Sequence, residues 1–273
     1  MTTETVATTA PAAETRVCAA TGLGLIAATG QVAWRVQKTS FGALNPRVPK
    51  PDDDPHRWGR WDVLGHQTIY AARSPAGALV ETLQAFRLEA TNDPPLHDLF
   101  DDETGETTVL EAVAQDWARE WGDFIPGKIP QGWRESRNLY QLRLPTNGWL
   151  VDIDDGHSVS VIGQALKDEL RELGVDRFTV QQLYEDDRAL RLTTMIAEWI
   201  WRQLLDDGHL PHGIRYRSKW GGNYGCYALW LRALDDGKGL DSEPTRLLGA
   251  QCINRDDSAL NEAAGIHRLT RIF

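Results

Sequence analysis

The sequence is poor in cysteine and methionine, with three of the former and two of the latter among 273 residues. Cys18, Cys226 and Cys252 are odd in number and show no Cys-x-x-Cys spacing, which argues against a disulfide framework and a cysteine zinc site. His209 and His212 have no further ligands at metal-binding spacing. The sequence therefore predicts reduced, buried cysteines and no metal or redox cofactor.

The chain also lacks an excess of basic residues and a hydrophobic run long enough to span a membrane. Its formal net charge is −10 and its isoelectric point is near 5.2, whereas nucleic-acid and anionic-membrane surfaces need a basic patch. An apolar stretch at 17–28 follows Arg16, but Glu4 and Glu14 stand where a secretory signal would carry basic residues. We expect a cytoplasmic protein that binds neither membrane nor nucleic acid directly.

The length of the chain is sufficient for one large domain with a substantial core. Residues 1–15 are rich in threonine and alanine and show no periodic pattern, so we predict a disordered tail there. We predict that residues 16–273 form a single domain. Within it, the segment from about 91 to 205 starts with short helical pieces and acidic loops whose order the sequence does not reveal.

Strand patterns and helix patterns are interspersed along this domain, which predicts an α+β fold. Strands are predicted at 67–72, 139–144, 149–153, 213–216, 226–231 and 245–252. Helices are predicted at 75–87, 159–173 and 180–205. Ser74 and Pro75 suit the N-cap and first turn of the first helix. The Pro-Thr-Asn-Gly sequence at 145–148 predicts a turn that joins two strands as a hairpin does.

Two sequence motifs match ligand-binding patterns only in part. Residues 22–27 fit the dinucleotide pattern G-x-G-x-x-A, but Gly30 interrupts the helix that should follow and no βαβ series is present. We interpret them as a flexible lead-in segment. Residues 152–156 begin like a calcium loop, but Gly156 comes one place early and Gly163 stands where the loop needs glutamate, so we predict a turn.

The stretch from Trp34 to Leu83 is the most informative part of the sequence. It contains Arg35, Arg60, a tyrosine on a predicted strand and a glutamate on the predicted helix that follows. Two arginine forks suit a pyrophosphate, because guanidinium groups bond phosphate oxygens in pairs. An aromatic face could hold a ring, and a carboxylate could stabilise positive charge on a sugar. These groups are what cleavage of a dinucleotide at its glycosidic bond would need.

Each of these residues alone has an ordinary interpretation. Glu81 would be a solvated helix residue, the arginines would be surface residues, and Tyr70 would belong to the core. Their occurrence together on one strand–turn–helix unit favours a site. Ser218, at the end of another predicted strand, joins the set.

In their order and spacing these pieces resemble the RES domain, named for its Arg, Glu and Ser and known chiefly as the toxin of bacterial RES–Xre toxin–antitoxin pairs. The resemblance extends from about Val32 to Trp230. Compared with that family, the loop after Arg35 is long and the middle segment at about 91–205 is enlarged. The matching pieces are WRV with Arg35, GRW with Arg60, TIYAARSPAGALVETL with Tyr70 and Glu81, and GIRYRSKW with Ser218.

The resemblance implies a mixed, strongly twisted sheet with flanking helices, similar to ADP-ribosyltransferases, and NAD⁺ as the substrate. Arg35 and Arg60 would bind the pyrophosphate, and Tyr70 would stack on or hydrogen-bond the nicotinamide–ribose end. Ser218 would bond the nicotinamide ribose or amide. Glu81 would stabilise the oxocarbenium-like transition state as nicotinamide leaves. An Xre-like antitoxin is the protein partner that the resemblance implies.

Three functions remain open at this stage. The first is a growth-inhibiting toxin that cleaves NAD⁺ with water or phosphate as acceptor. The second is an ADP-ribosyltransferase that modifies a protein; arginine is disfavoured as its acceptor, because Leu79 occupies the position where arginine-directed enzymes often carry a second acidic residue. The third is a non-catalytic module that binds a nucleotide or a partner. The sequence also leaves open whether the chain forms a homo-oligomer.

Overall fold

The computed structural model describes residues 14–53, 58–87, 127–184, 186–231 and 245–271. Its strands are β1 Thr15–Val17, β2 Gly24–Ala27, β3 Val32–Lys38, β4 Gln67–Ala72, β5 Lys128–Ile129, β6 Arg137–Arg143, β7 Trp149–Asp152, β8 Gly213–Ser218, β9 Gly221–Leu231, β10 Arg246–Cys252 and β11 Thr270–Arg271. Its α-helices are α1 Pro75–Leu83, α2 Gln131–Glu135, α3 Gly156–Ala165, α4 Lys167–Glu172, α5 Asp186–Trp201 and α6 Ser258–His267. Short 3₁₀ helices span Gln84–Phe86 and Val180–Leu183.

Nine of the strands form one sheet in the order β1-β2-β7-β8-β9-β4-β3-β6-β10. β7 and β8 pair in parallel, and the other neighbours pair antiparallel. The sheet is therefore mixed, and helices accompany it, which confirms the predicted α+β class. β5 and β11 form a separate parallel pair.

The connection from β2 to β3 shows that the sheet curves strongly. Ala27 ends β2 and Val32 begins β3, and a chain of that length reaches at most about 19 Å. In a flat sheet the two strands would stand five strand spacings apart, which is about 24 Å. The smaller hydrophobic core joins side chains from both halves of this curved sheet, such as Ala33, Ile69 and Leu150.

The strands β3 and β4 meet over a very short length, because their register consists of Trp34 opposite Ala72. Beyond this point β3 continues along β6, with Arg35 opposite Tyr140, whereas β4 continues along β9. The two strands therefore part from each other. A gap between diverging strands in the middle of a sheet is a place where side chains of both can line a cleft.

The β4–α1 unit forms as the sequence predicts. Ser74 accepts a hydrogen bond from the Gly77 amide at 3.1 Å, and Pro75 occupies the first turn, where its missing N–H costs nothing. Leu79 and Leu83 are completely buried. At 100° per residue, Glu81 points away from Leu79, and it is half-buried rather than solvated. The last turn of the predicted helix is the 3₁₀ helix.

The predicted hairpin at 145–148 is wrong. β6 pairs with β3 and β10, while β7 pairs with β2 and β8, so the two strands leave the turn in different directions. Backbone hydrogen bonds from Ala28 to Gly148 and from Gly30 to Pro145 hold the β2–β3 connection beside this turn. Pairing with β2 and β3 thus replaces the local pairing that the turn sequence favours.

Four further expectations need correction. Residues 24–27 are not a flexible lead-in but strand β2, preceded by Gly22 with a φ of +75°. The helix predicted at 159–173 is two helices, and the one at 180–205 begins as a 3₁₀ helix and ends at 201. Cys252 is exposed, whereas the other two cysteines are buried.

The C-terminal helix α6 was not predicted from the sequence. It packs on α1, and a ring nitrogen of His267 lies 2.8 Å from the Val80 carbonyl oxygen. Of the predicted tail, residues 1–13 lie outside the described residues, and Thr15 belongs to β1. The described part of the chain contains no helix that is long and apolar enough to cross a membrane.

Candidate active site

A cleft of about 380 Å³ opens where β3 and β4 diverge. Four of the five predicted site residues line it, namely Arg35, Arg60, Tyr70 and Glu81. The structure thus brings together residues from β3, β4, α1 and the loop before β4. The remaining lining residues are Trp34, Val36, Trp58, Gly59, Ala71, Ala72, Ala78, Thr82, Gln84 and Tyr216.

Glu81 presents a carboxylate whose two oxygens have different surroundings. Its Oε1 atom is buried and has no hydrogen-bond partner among the described residues. The carboxylate accepts a hydrogen bond from Ser218, which is itself buried. Burial raises the pKa of Glu81, while this hydrogen bond and the charges of Arg60 and Lys219 oppose the rise. Within the described residues, Oε1 is therefore left for a ligand.

Arg35 is a buried cation of the cleft, with 6% of its surface exposed. Its Nη1 atom has no hydrogen-bond partner within the described part of the chain. Burial lowers the pKa of Arg35 to about 10, so the guanidinium stays charged at neutral pH. The negative potential of Asp62 and the hydroxyls of Tyr70 and Tyr140 limit this decrease.

Arg60 is held from two directions by the protein. Its Nη2 atom donates to the Leu183 carbonyl oxygen at 3.0 Å. Its Cζ atom lies 5.1 Å from the ring centre of Tyr184 and 5.8 Å from that of Tyr216, both within cation–π range. Its buried Nε atom lacks a partner among the residues that the structure describes.

Tyr70 fixes the loop that carries Arg60. Its hydroxyl donates to Asp62 at 2.8 Å and accepts from the Trp61 amide at 2.8 Å. The other carboxylate oxygen of Asp62 accepts from the Gly59 amide at 2.8 Å. A side chain at position 59 would clash with the Tyr70 phenol, which explains the glycine. The hydroxyl of Tyr70 is thus engaged, and its ring is the part that lines the cleft.

The Asp62→Asn variant tests this network. Asparagine keeps the shape, but the Tyr70 hydroxyl and the Gly59 amide donate to different oxygens of Asp62, and in asparagine one of these oxygens becomes an NH₂ group that cannot accept. We expect the free energy of unfolding to fall by about 1–2 kcal/mol, because a buried donor is left without a partner. Chemical denaturation measures this. Asp52→Asn, at an exposed position of the preceding loop, is the control; an equal effect of the two variants would show that the network does not hold the loop.

Sequence reasoning missed three residues around the cleft. Asp62 directly follows the Gly-Arg-Trp motif, and a polar residue at that place was a signal that could have been used. Trp58 directly precedes the motif, and its buried Nε1 has no partner among the described residues. Tyr184 is far from the Gly-Arg-Trp motif in the sequence, so no local sequence pattern connects it with Arg60.

The unpaired polar atoms of the cleft-lining residues indicate which hydrogen-bonding groups a matching ligand should have. Arg35, Arg60 and Trp58 each have a buried N–H group to donate, and Glu81 has a buried oxygen to accept, judged within the described residues. Buried polar groups in proteins are almost always hydrogen-bonded. A matching ligand offers several acceptors, as a pyrophosphate does, and at least one donor, as a sugar hydroxyl does.

No group of three or more His, Cys, Asp or Glu side chains that could hold a metal occurs in the described ranges. The expectation of a metal-free site stays a prediction.

A scan of protein-family models matches residues 32–248 to the model described as RES domain. The match begins with β3, which carries Arg35, and ends within β10, so it includes every residue that lines the cleft. No curated protein and no solved structure matches the chain.

Proposed function

Because this chain belongs to the RES domain family, we propose that it is an enzyme that consumes NAD⁺ by cleaving the bond between nicotinamide and ribose. One observation carries the proposal. A single cleft contains two guanidinium groups with N–H atoms, and one carboxylate with a buried oxygen, that have no partner among the described residues. This combination suits a pyrophosphate joined to a ribose that becomes positively charged during the reaction.

The proposed chemistry needs no general acid. Nicotinamide leaves as a neutral molecule from a cationic bond, so one carboxylate is enough where glycosidases commonly use two. Arg35 and Arg60 bind the pyrophosphate and fix the position of the nicotinamide ribose. The free oxygen of Glu81 accepts a hydrogen bond from a ribose hydroxyl and stabilises the positive charge that develops on the sugar.

For Ser218 we propose a role other than the one that the resemblance implies. Its hydroxyl is buried, bonds Glu81 and does not belong to the cleft lining. We therefore propose that Ser218 positions the Glu81 carboxylate. This frees the other carboxylate oxygen for the ribose.

Product analysis tests the proposed function. Purified protein is incubated with NAD⁺ with and without inorganic phosphate, and the products are identified by chromatography and mass spectrometry. Free ADP-ribose would identify water as the acceptor, and an ADP-ribose phosphate would identify phosphate. ADP-ribose attached to protein would favour the transferase. Intact NAD⁺ under all of these conditions would overturn the proposal.

Transfer to arginine is the less favoured alternative. The residue two positions before Glu81 is Leu79, which is completely buried in the core beneath α1. A second acidic side chain at that place could not reach the cleft without leaving the core. This disfavours arginine as the acceptor and leaves water, phosphate and other protein side chains as candidates.

We further propose that the reaction makes the protein a toxin, since loss of NAD⁺ stops the metabolism of the cell that contains it. An Xre-like antitoxin would then be its partner. Expression in a bacterial host, with intracellular NAD⁺ measured over time, tests this. NAD⁺ should fall before growth stops, and neither change should occur with Glu81→Gln.

The rate should depend on pH through Glu81. Burial raises the pKa of Glu81 above its ordinary value of 4.5, and a carboxyl is neutral below its pKa. We therefore expect kcat/KM to decrease as the pH falls through a value above 4.5, because a neutral carboxyl cannot stabilise the cationic ribose. A pH–rate profile measures this. A decrease that persists unchanged in Glu81→Gln would assign it to another group.

A further inference from the structure

The enlarged middle segment reaches the cleft through a short turn at 179–184. The turn is a 3₁₀ helix, Val180–Leu183, with Thr179 as its N-cap. The Thr179 amide donates to the Gln182 side chain at 2.7 Å, and the Gln181 amide donates to the Thr179 hydroxyl at 3.3 Å. Leu183 is completely buried. These contacts give the turn a defined conformation.

This turn contacts Arg60 and thereby meets the site. The Leu183 carbonyl oxygen accepts a hydrogen bond from Arg60, and the ring of Tyr184 lies under the guanidinium group of Arg60. A carbonyl and an aromatic face bind a cation without neutralising it as a carboxylate would. Arg60 is therefore held in place with its positive charge available to an anion.

Tyr184 is itself fixed by a buried carboxylate. Its hydroxyl donates to Asp154 at 2.5 Å. Asp154 follows β7, has only 5% of its side chain exposed, and also accepts from the Arg217 amide at 3.0 Å and its Nε at 3.1 Å. The ring of Tyr184 is thus connected to β7 and β8 in the middle of the sheet.

We infer that Tyr184 is a positioning residue for Arg60, with Asp154 as its anchor, and that this is how the middle segment serves the site. The inference deepens the proposed function and rests on it. An arginine side chain has several rotatable bonds, and holding it in the binding conformation before the ligand arrives lowers the entropy lost on binding. Without Tyr184, Arg60 would keep the Leu183 carbonyl and the Tyr216 ring as supports, and the ligand would have to complete its ordering.

The first experiment needs no ligand. Unfolding is measured for the wild type, Arg60→Ala, Tyr184→Leu and the double variant. If the two side chains contact each other, their effects on the unfolding equilibrium constant should be non-additive by about threefold or more, as expected for a cation–π pair. Additive effects would overturn the inference, whatever the ligand is.

The second experiment measures NAD⁺ binding by calorimetry in the Glu81→Gln background, where turnover is suppressed. Tyr184→Leu should weaken binding about five- to tenfold when Arg60 is present. It should change binding less than about twofold when position 60 is alanine, because no guanidinium is left to position. Tyr184→Phe keeps the ring but loses the bond to Asp154, so its affinity should lie between those of the wild type and Tyr184→Leu.

The control and the outcomes separate the inference from the proposed function. Phe178→Leu changes another aromatic residue of the segment, which packs against Gly163, and should leave the affinity unchanged. The inference would be overturned if Tyr184→Leu weakened NAD⁺ binding equally with arginine and with alanine at position 60. Coupling between the two residues in unfolding, but no NAD⁺ binding in any variant, would support the contact and overturn the proposed function.

Discussion

Replacement of Glu81 with glutamine is expected to slow NAD⁺ turnover by about 10²–10³-fold, the usual effect of losing one preorganised electrostatic contact. Glutamine keeps the size of the side chain and can still accept from Ser218, but it carries no charge. The ribose is much more positive in the transition state than in bound NAD⁺, so kcat should fall while the dissociation constant changes little. Steady-state kinetics and calorimetry give the two quantities.

Stability measurements provide the control for this variant. Burial disfavours the charged form of Glu81, as the raised pKa shows, so a neutral side chain should be tolerated at least as well. The free energy of unfolding should therefore not decrease. A folded variant that cleaves NAD⁺ at the wild-type rate would show that Glu81 has no catalytic role.

Replacement of Arg60 with alanine is expected to weaken NAD⁺ binding by about 10–100-fold, because a hydrogen bond to a charged group contributes about 1.5–3 kcal/mol. The effect should appear mainly in KM, since the pyrophosphate carries its charge both before and during bond cleavage. Arg47→Ala is the matched control, because Arg47 is exposed and pairs with Asp53. Similar losses in both variants would indicate a general effect of charge and would contradict pyrophosphate binding by Arg60.

The parts of the site that could be predicted are those that lie close together in the sequence. The Ser74 cap and the apolar positions of α1 are local signals, and they place Tyr70 and Glu81 on one strand–turn–helix unit. The chemical suitability of two arginines and one carboxylate for a dinucleotide could also be recognised. The position of the cleft could not be predicted from the sequence, because it depends on the point at which the pairing of β3 with β4 ends.

The residues that support the site escaped prediction for the same reason. Asp62 supports the site because it accepts a hydrogen bond from the Tyr70 hydroxyl. Tyr184 supports it because the ring of Tyr184 packs against the Arg60 guanidinium group. Both contacts depend on the tertiary fold. The hairpin at 145–148 failed because β6 and β7 find partners elsewhere in the sheet. Local propensity predicted the elements, whereas pairing between distant strands decided their neighbours.

A part of the chain that is distant in sequence also supports the site. The turn at 179–184 supplies a carbonyl and an aromatic ring to Arg60, which lies on the loop before β4. Neither group takes part in the proposed chemistry. Their effect is expected in binding, where a preordered side chain loses less entropy.

A crystal structure of the Glu81→Gln protein with NAD⁺ would show where and how the dinucleotide binds. We expect NAD⁺ in the cleft between β3 and β4, with pyrophosphate oxygens about 3 Å from Arg35 Nη1 and Arg60 Nε. We also expect a hydroxyl of the nicotinamide ribose in hydrogen-bond contact with the side chain at position 81. NAD⁺ bound outside this cleft, or in it with the pyrophosphate in contact with neither arginine, would show that the cleft is not the proposed active site.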